Sequence, residues 1–125
     1  MVDDVIASDL KDFILGHIDS VAQLEALLML RANPDKSWDV ARTARRLYIG
    51  ERDTAEALAG LSSLGLLSRD GDSYRYAELS AAQVAMMDRL AEAYARHLIP
   101  VTNIIHRKPR RIREFADAFK FKKER

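Results

Sequence analysis

Apolar residues recur along much of this chain at steps of three and four, the spacing of helices with one buried face. Leu10, Phe13 and Ile14 predict a short helix over 9–16, capped by Ser8 or Asp9, with residues 1–7 as a frayed end. Val21, Leu24, Leu27, Leu28 and Leu30 predict the central helix. It opens at Ser20-Val21-Ala22-Gln23, where the Ser hydroxyl and the Gln side chain can each satisfy a free first-turn amide. It ends at Asn33, because Pro34 disfavours helical backbone just before it. Ser37 can cap a third helix over 38–47. A fourth carries Thr54, by its methyl, then Leu58, Leu61 and Leu64, and stops at Gly65, where a helix end wants a residue free to take positive φ. The rhythm then shortens. Residues 66–69 and 73–76 are short strand-like runs, and Asp70-Gly71-Asp72 between them signals a hairpin.

The longest apolar stripe follows a second capping box, Ser80 to Gln83. Val84, Met87, Ala91, Tyr94, Leu98, Val101 and Ile105 alternate steps of three and four, as in a coiled-coil seam. Met86 and Leu90 widen it. Pro100 removes one amide and clashes one turn back, so a kink is expected over 96–99. Two arrangements satisfy the stripe: pairing with a second subunit, or packing on the chain's own first helices. We take the first, with Val84, Met87, Ala91, Tyr94 and Leu98 as the dimerisation residues. The chain thus divides into an N-terminal helical extension (1–19), a central domain (20–77), a long C-terminal helix (78–108) and a tail (109–125).

The order within the central domain is helix, Gly-Leu, ribbon. Ala44, Leu47, Ile49, Leu58, Leu61, Gly65 and Leu66 have helix-turn-helix spacing: a small residue in one helix, two aliphatics around the turn, then the core of the next helix. The region resembles the winged-helix domains of bacterial transcriptional regulators, broadly of the MarR/PadR-like kind. The resemblance implies an α+β, mostly helical fold with a two-stranded wing and a long C-terminal helix. It further implies duplex DNA binding, with the fourth helix in the major groove and the wing near the backbone.

Under that resemblance the outward positions of the recognition helix are Gly50, Arg52, Asp53, Ala55, Glu56, Ala59 and Gly60. Only Arg52 among them is a strong donor to base edges. Cationic side chains lie around it instead: Arg42, Arg45 and Arg46 on the preceding helix, Arg69 and Arg75 beside the wing turn. Together with Arg52 these are the candidate DNA-binding residues, and their placement points to phosphate contacts more than base readout. Each arginine also has a plain alternative as a solvated surface charge or an ion-pair partner, for example Arg45 and Arg46 with Asp39 or Glu51.

The formal net charge of +1 conceals an asymmetry. From His106 to Arg125 nine basic and three acidic residues give +6, so residues 1–105 sum to −5. Past Pro109, Ile112, Phe115, Ala116 and Phe119 form one apolar face, with Arg110, Arg111, Arg113, Lys120, Lys122 and Lys123 around it. Such a basic amphipathic segment can lie on an anionic membrane, dock in a partner's groove, hold phosphates, or pack on its own body or dimer partner. The competing function is therefore a winged-helix interaction module, an adaptor to a regulator or to the transcription machinery, whose partner-binding residues are Arg110, Arg111, Arg113, Phe115, Phe119, Lys120, Lys122 and Lys123.

Other chemistry lacks its residues. With no cysteine there is no disulfide framework or thiolate metal site. His17, His97 and His106 are not spaced as metal ligands. The glycines are scattered, with no phosphate-cradling loop. No serine or histidine arrangement suggests a nucleophile. Tyr94, Met87 and Trp38 are read as core packing in preference to lining an effector pocket. The acidic N-terminus lacks the basic and apolar regions of a signal peptide, and no apolar run nears the roughly 18 residues that span a bilayer. The expectation is a cytoplasmic dimer without cofactor, membrane contact or enzymatic activity.

Overall fold

A computed structural model describes residues 5–107 of the chain. The fold is α+β and mostly helical. The helices are α1 (Ser8–His17), α2 (Val21–Ala32), α3 (Val40–Leu47), α4 (Glu51–Ser63), α5 (Ala81–Arg96) and α6 (Leu98–Arg107). The strands are β1 (Trp38–Asp39), β2 (Leu67–Asp70) and β3 (Ser73–Tyr76), in an antiparallel sheet of order β1-β3-β2.

α2 is the centre of the core. Leu24, Ala26, Leu27 and Leu30 are fully buried and meet Leu58 and Leu61 of α4. Ile14, Ile18, Met87, Leu90, Val101 and Ile105 close the other side. Ser20 accepts from the Gln23 amide at 3.0 Å, as a capping serine should. The second half of the expected box differs: Gln23 Oε1 accepts from the amide of Asp19 at 2.7 Å, one residue further out. At Ser80 both halves form, at 3.2 and 2.9 Å.

Several expectations are corrected. Ile6 lies in the core, so the described part of the N-terminus is packed rather than frayed. α1 has Ala7 at its cap position and no side-chain cap, so neither Ser8 nor Asp9 serves. The third helix begins two residues later than expected. Trp38 and Asp39 pair with Tyr74 and Ser73 as a strand, which makes the ribbon three-stranded. Asp39, not Ser37, caps α3, accepting from the Arg42 amide at 2.7 Å.

The hairpin forms with its first strand one residue later than expected, at Leu67–Asp70 rather than 66–69, so Asp70 is paired and only Gly71 and Asp72 turn. Asp70 opposes Ser73 across a two-residue loop, and Gly71 takes φ 63° at its first position. Gly65, at φ 80°, likewise occupies left-handed backbone after α4. The long helix is interrupted at the expected place, but by a break rather than a kink. α5 ends at Arg96, His97 adopts φ −132° and ψ 55°, and α6 restarts at Leu98. Pro100 then lies in the first turn of α6, where its missing amide would have no intrahelical partner anyway.

Among the described residues no single helix is long and apolar enough to cross a membrane. α1 and α2 reach that length and composition only together, across a 107° bend.

Candidate nucleic-acid interface

Asp39 fixes the start of α3, and the Thr43 hydroxyl donates to its carbonyl at 2.8 Å. Thr43 and Ala44 thereby face inward and are buried. Arg42, Arg45 and Arg46, at relative positions i, i+3 and i+4, then share the outer face, and all three are exposed. α3 ends at Tyr48 in left-handed backbone, φ 59°.

These residues line one groove of about 570 Å³ together with Asn33, Lys36 and Trp38. The turn after α2 supplies Asn33 and Lys36. It is held by the Lys36 amide on the Asn33 carbonyl, 3.1 Å, and by the Asn33 side chain on the Met29 carbonyl, 2.9 Å. Trp38 comes from β1. Its ring is buried, and its indole N–H has no hydrogen-bond partner among the described residues. The Arg42 guanidinium stacks 4.6 Å above the ring centroid. A cation this close to the ring face is held there by the ring's quadrupole.

Arg45 and Arg46 have no ion pair among the described residues; the Asp39 carboxylate accepts from the Arg42 amide instead. Four cations therefore converge on one concave surface, with one aromatic side chain in its floor and another at its rim. Lys36 and Tyr48 were not among the expected site residues. The only sequence signal for Tyr48 was its position where a helix end calls for glycine. Lys36 carried none.

The remaining candidates are distributed differently. Arg75 does not line the groove; its guanidinium donates to the hydroxyl of Ser37, between the lining residues Lys36 and Trp38, at 3.3 Å. Arg69 folds over its own hairpin, donating to the Gly71 carbonyl at 3.0 Å and lying 5.3 Å from the Tyr74 ring. Arg52 is exposed on the first turn of α4 and does not line the groove. Beside it, Asp53 and Glu56 line a second groove of about 280 Å³ with Asp19 and Ser20, so the outer side of α4 is acidic.

The dimerisation set does not share one surface. Met87 is in the chain's own core, as are Val101 and Ile105 further along the stripe. Tyr94 is half-buried, its hydroxyl donating to Glu25 at 2.8 Å. Ala91 is also half-buried, whereas Val84 and Leu98 are exposed. Trp38 and Met87 line different grooves. Met87 belongs to an apolar groove of about 290 Å³ with Phe13, His17, Leu64, Leu66 and Met86. Arg110, Arg111, Arg113, Phe115, Phe119, Lys120, Lys122 and Lys123 lie outside the described residues. Among the described residues no three His, Asp or Glu side chains converge as a metal site. No family model matches this chain, and no curated protein and no solved structure matches it either.

Proposed function

We propose that this chain is a winged-helix DNA-binding regulator that grips duplex DNA mainly through its phosphates. The order α2–β1–α3–α4–β2–β3 suits a winged helix, with α4 as recognition helix and β2–β3 as wing. The observation that carries the reading is the groove that gathers Lys36, Arg42, Arg45 and Arg46 without an acidic side chain in its lining. Cations held apart from carboxylates remain available to phosphate, and surface ion pairs would compete only weakly.

The acidic outer side of α4 makes base readout by that helix a minor part of the contact. Asp53 and Glu56 would repel the backbone if α4 entered the groove squarely. The grip then falls on α3, the turn before β1 and the edge of the sheet at Arg75. The same acidic surface favours the second reading, a winged-helix protein-interaction module that uses the basic tail.

One titration separates the two. Fluorescence anisotropy of a random duplex is followed against salt for the wild type, for Arg45→Ala/Arg46→Ala, and for Arg110→Ala/Arg111→Ala/Arg113→Ala. If the groove holds phosphates, the first variant lowers the log–log salt slope by about 2, roughly 0.9 for each lost contact. A slope and affinity unchanged there, but lost in the tail variant, would move the contact to the tail. Absence of salt-sensitive binding in the wild type would leave the interaction module.

A further inference from the structure

Tyr48 is the one residue other than glycine with positive φ among the described residues. The conformation has a local cause. The amides of Tyr48 and Ile49 both return to the carbonyl of Ala44, the left-handed closure of a helix end. Glycine takes that position freely, whereas a side chain with a Cβ takes it under strain. Packing does not compensate. Tyr48 is 94% exposed, while Tyr74 is buried and Tyr76 and Tyr94 are half-buried. A strained aromatic side chain that buries almost none of its surface adds little to holding the fold together.

Its place suggests another role. Tyr48 lines the groove that gathers Lys36, Arg42, Arg45 and Arg46. A cationic track with an exposed aromatic face is the arrangement that holds single-stranded nucleic acid: phosphates lie on the cations and a base stacks on the ring. Bases inside a duplex already stack on each other and present only their edges. A ligand that uses the Tyr48 ring must therefore offer an unpaired base.

We propose that Tyr48 is a stacking platform for an unpaired base, and that the groove binds a single-stranded nucleic-acid segment through Lys36, Arg45 and Arg46. This rests on the phosphate-binding reading of the groove and adds a single-stranded ligand to the duplex proposed above. Arg42 is already placed over Trp38.

The test uses the full chain, a labelled oligothymidine, and a duplex of the same length. The variants are Tyr48→Gly and Tyr48→Phe. Glycine suits the backbone at this position, so Tyr48→Gly should melt at or above the wild-type temperature, which removes misfolding as an explanation. Its affinity for oligothymidine should fall about 5- to 100-fold, the range for losing one base–aromatic stack. Tyr48→Phe keeps the ring and should keep the affinity. Duplex binding should change far less than single-strand binding in both variants. Oligothymidine binding that survives Tyr48→Gly, or an equal loss on both ligands, overturns the stacking role and leaves the phosphate groove standing. A wild type that binds neither ligand overturns the groove and this proposal together.

Discussion

The side-chain nitrogen of Gln23 occupies the space that a Cβ on Gly60 would need, 2.7 Å from that position. Gln23 is 97% buried and is held at its other end by the Asp19 amide. Its nitrogen donates to the Ala57 carbonyl at 3.5 Å, tying α2 to α4. Alanine at Gly60 gains about 1 kcal/mol of helix propensity, but it pushes this amide off its acceptor at a cost of about 1 kcal/mol or more. Gly60→Ala alone should therefore bring no net stability. In a Gln23→Ala background the same change should stabilise by about 1 kcal/mol. Urea unfolding of the four proteins measures the coupling. A full gain in the wild-type background would mean the amide gives way freely.

Leu61 is fully buried where α4 meets α2, in the core that sets the angle of the proposed recognition helix. Leu61→Ala should cost about 2–5 kcal/mol, from lost burial plus the cavity left behind. Thermal or urea unfolding gives the number. A cost well under 1 kcal/mol would mean that α4 is not seated on this core.

Helix faces, turns and caps could be read from local signals, because each was decided within one turn of chain. Leu58 and Leu61 are buried by helical spacing, Gly65 and Gly71 take the positive φ their positions demand, and Ser80 with Gln83 closes its capping box. What local pattern missed was decided at a distance. Trp38 is a strand residue because Tyr74 lies beside it, and a two-residue strand leaves no periodicity to detect. The stripe from Val84 to Ile105 is continuous in sequence but not in space. Past the break at His97, the buried residues of α6 are Val101, Ile104 and Ile105, while those of α5 are Met87, Leu90 and Ala93. Three groove arginines showed by their spacing on one helix. Lys36 and Tyr48 come from flanking turns, and only the packed chain brings them alongside.

Asp9 and Arg89 join α1 to α5 through two hydrogen bonds of 2.7 Å each. The guanidinium holds the Asp9 carboxyl at about 2, below its ordinary 3.8. A depressed folded pKa adds stability that is present above the unfolded value and lost as pH falls from about 4 through 2. Asp9→Asn should thus lower the urea midpoint at neutral pH, with the gap closing across that acid window. Both side chains are largely in water, so the gap should be small and should shrink in high salt. A gap that persists below pH 2 would assign it to something other than the charge pair.

Tyr94 behaves in the opposite sense. Burial, then its hydrogen bond to Glu25, pushes its phenol up to about 12 from an ordinary 10.0. A raised folded value gives stability fully present below about pH 10 and lost as pH rises through about 12. Tyr94→Phe should be less stable than the wild type at neutral pH and converge with it in strong alkali. An absorbance titration should show one phenolate step near the alkaline end missing from the variant. If every phenol titrates alike in both proteins, the Tyr94–Glu25 contact does not persist in solution.

Val84, Leu98 and Ile99 are 44%, 49% and 64% exposed, large apolar side chains open to solvent on α5 and α6. Leu98 and Ile99 open α6 just past the break, where the ends of two helices present them outward. The exposed pair Leu98 and Ile99 suits contact with a second copy, the pairing expected from the sequence. Leu98→Glu is the appropriate probe, because a half-exposed position tolerates charge without unfolding the monomer, whereas a charge at fully buried Val101 would not discriminate. Sedimentation velocity of the wild type should show a concentration-dependent dimer, and Leu98→Glu should sediment as a monomer with unchanged circular dichroism. If the dimer survives, its interface lies away from the α5–α6 junction. If the wild type is monomeric at every concentration, each chain must hold nucleic acid through a single groove, and a two-site grip on DNA would be excluded.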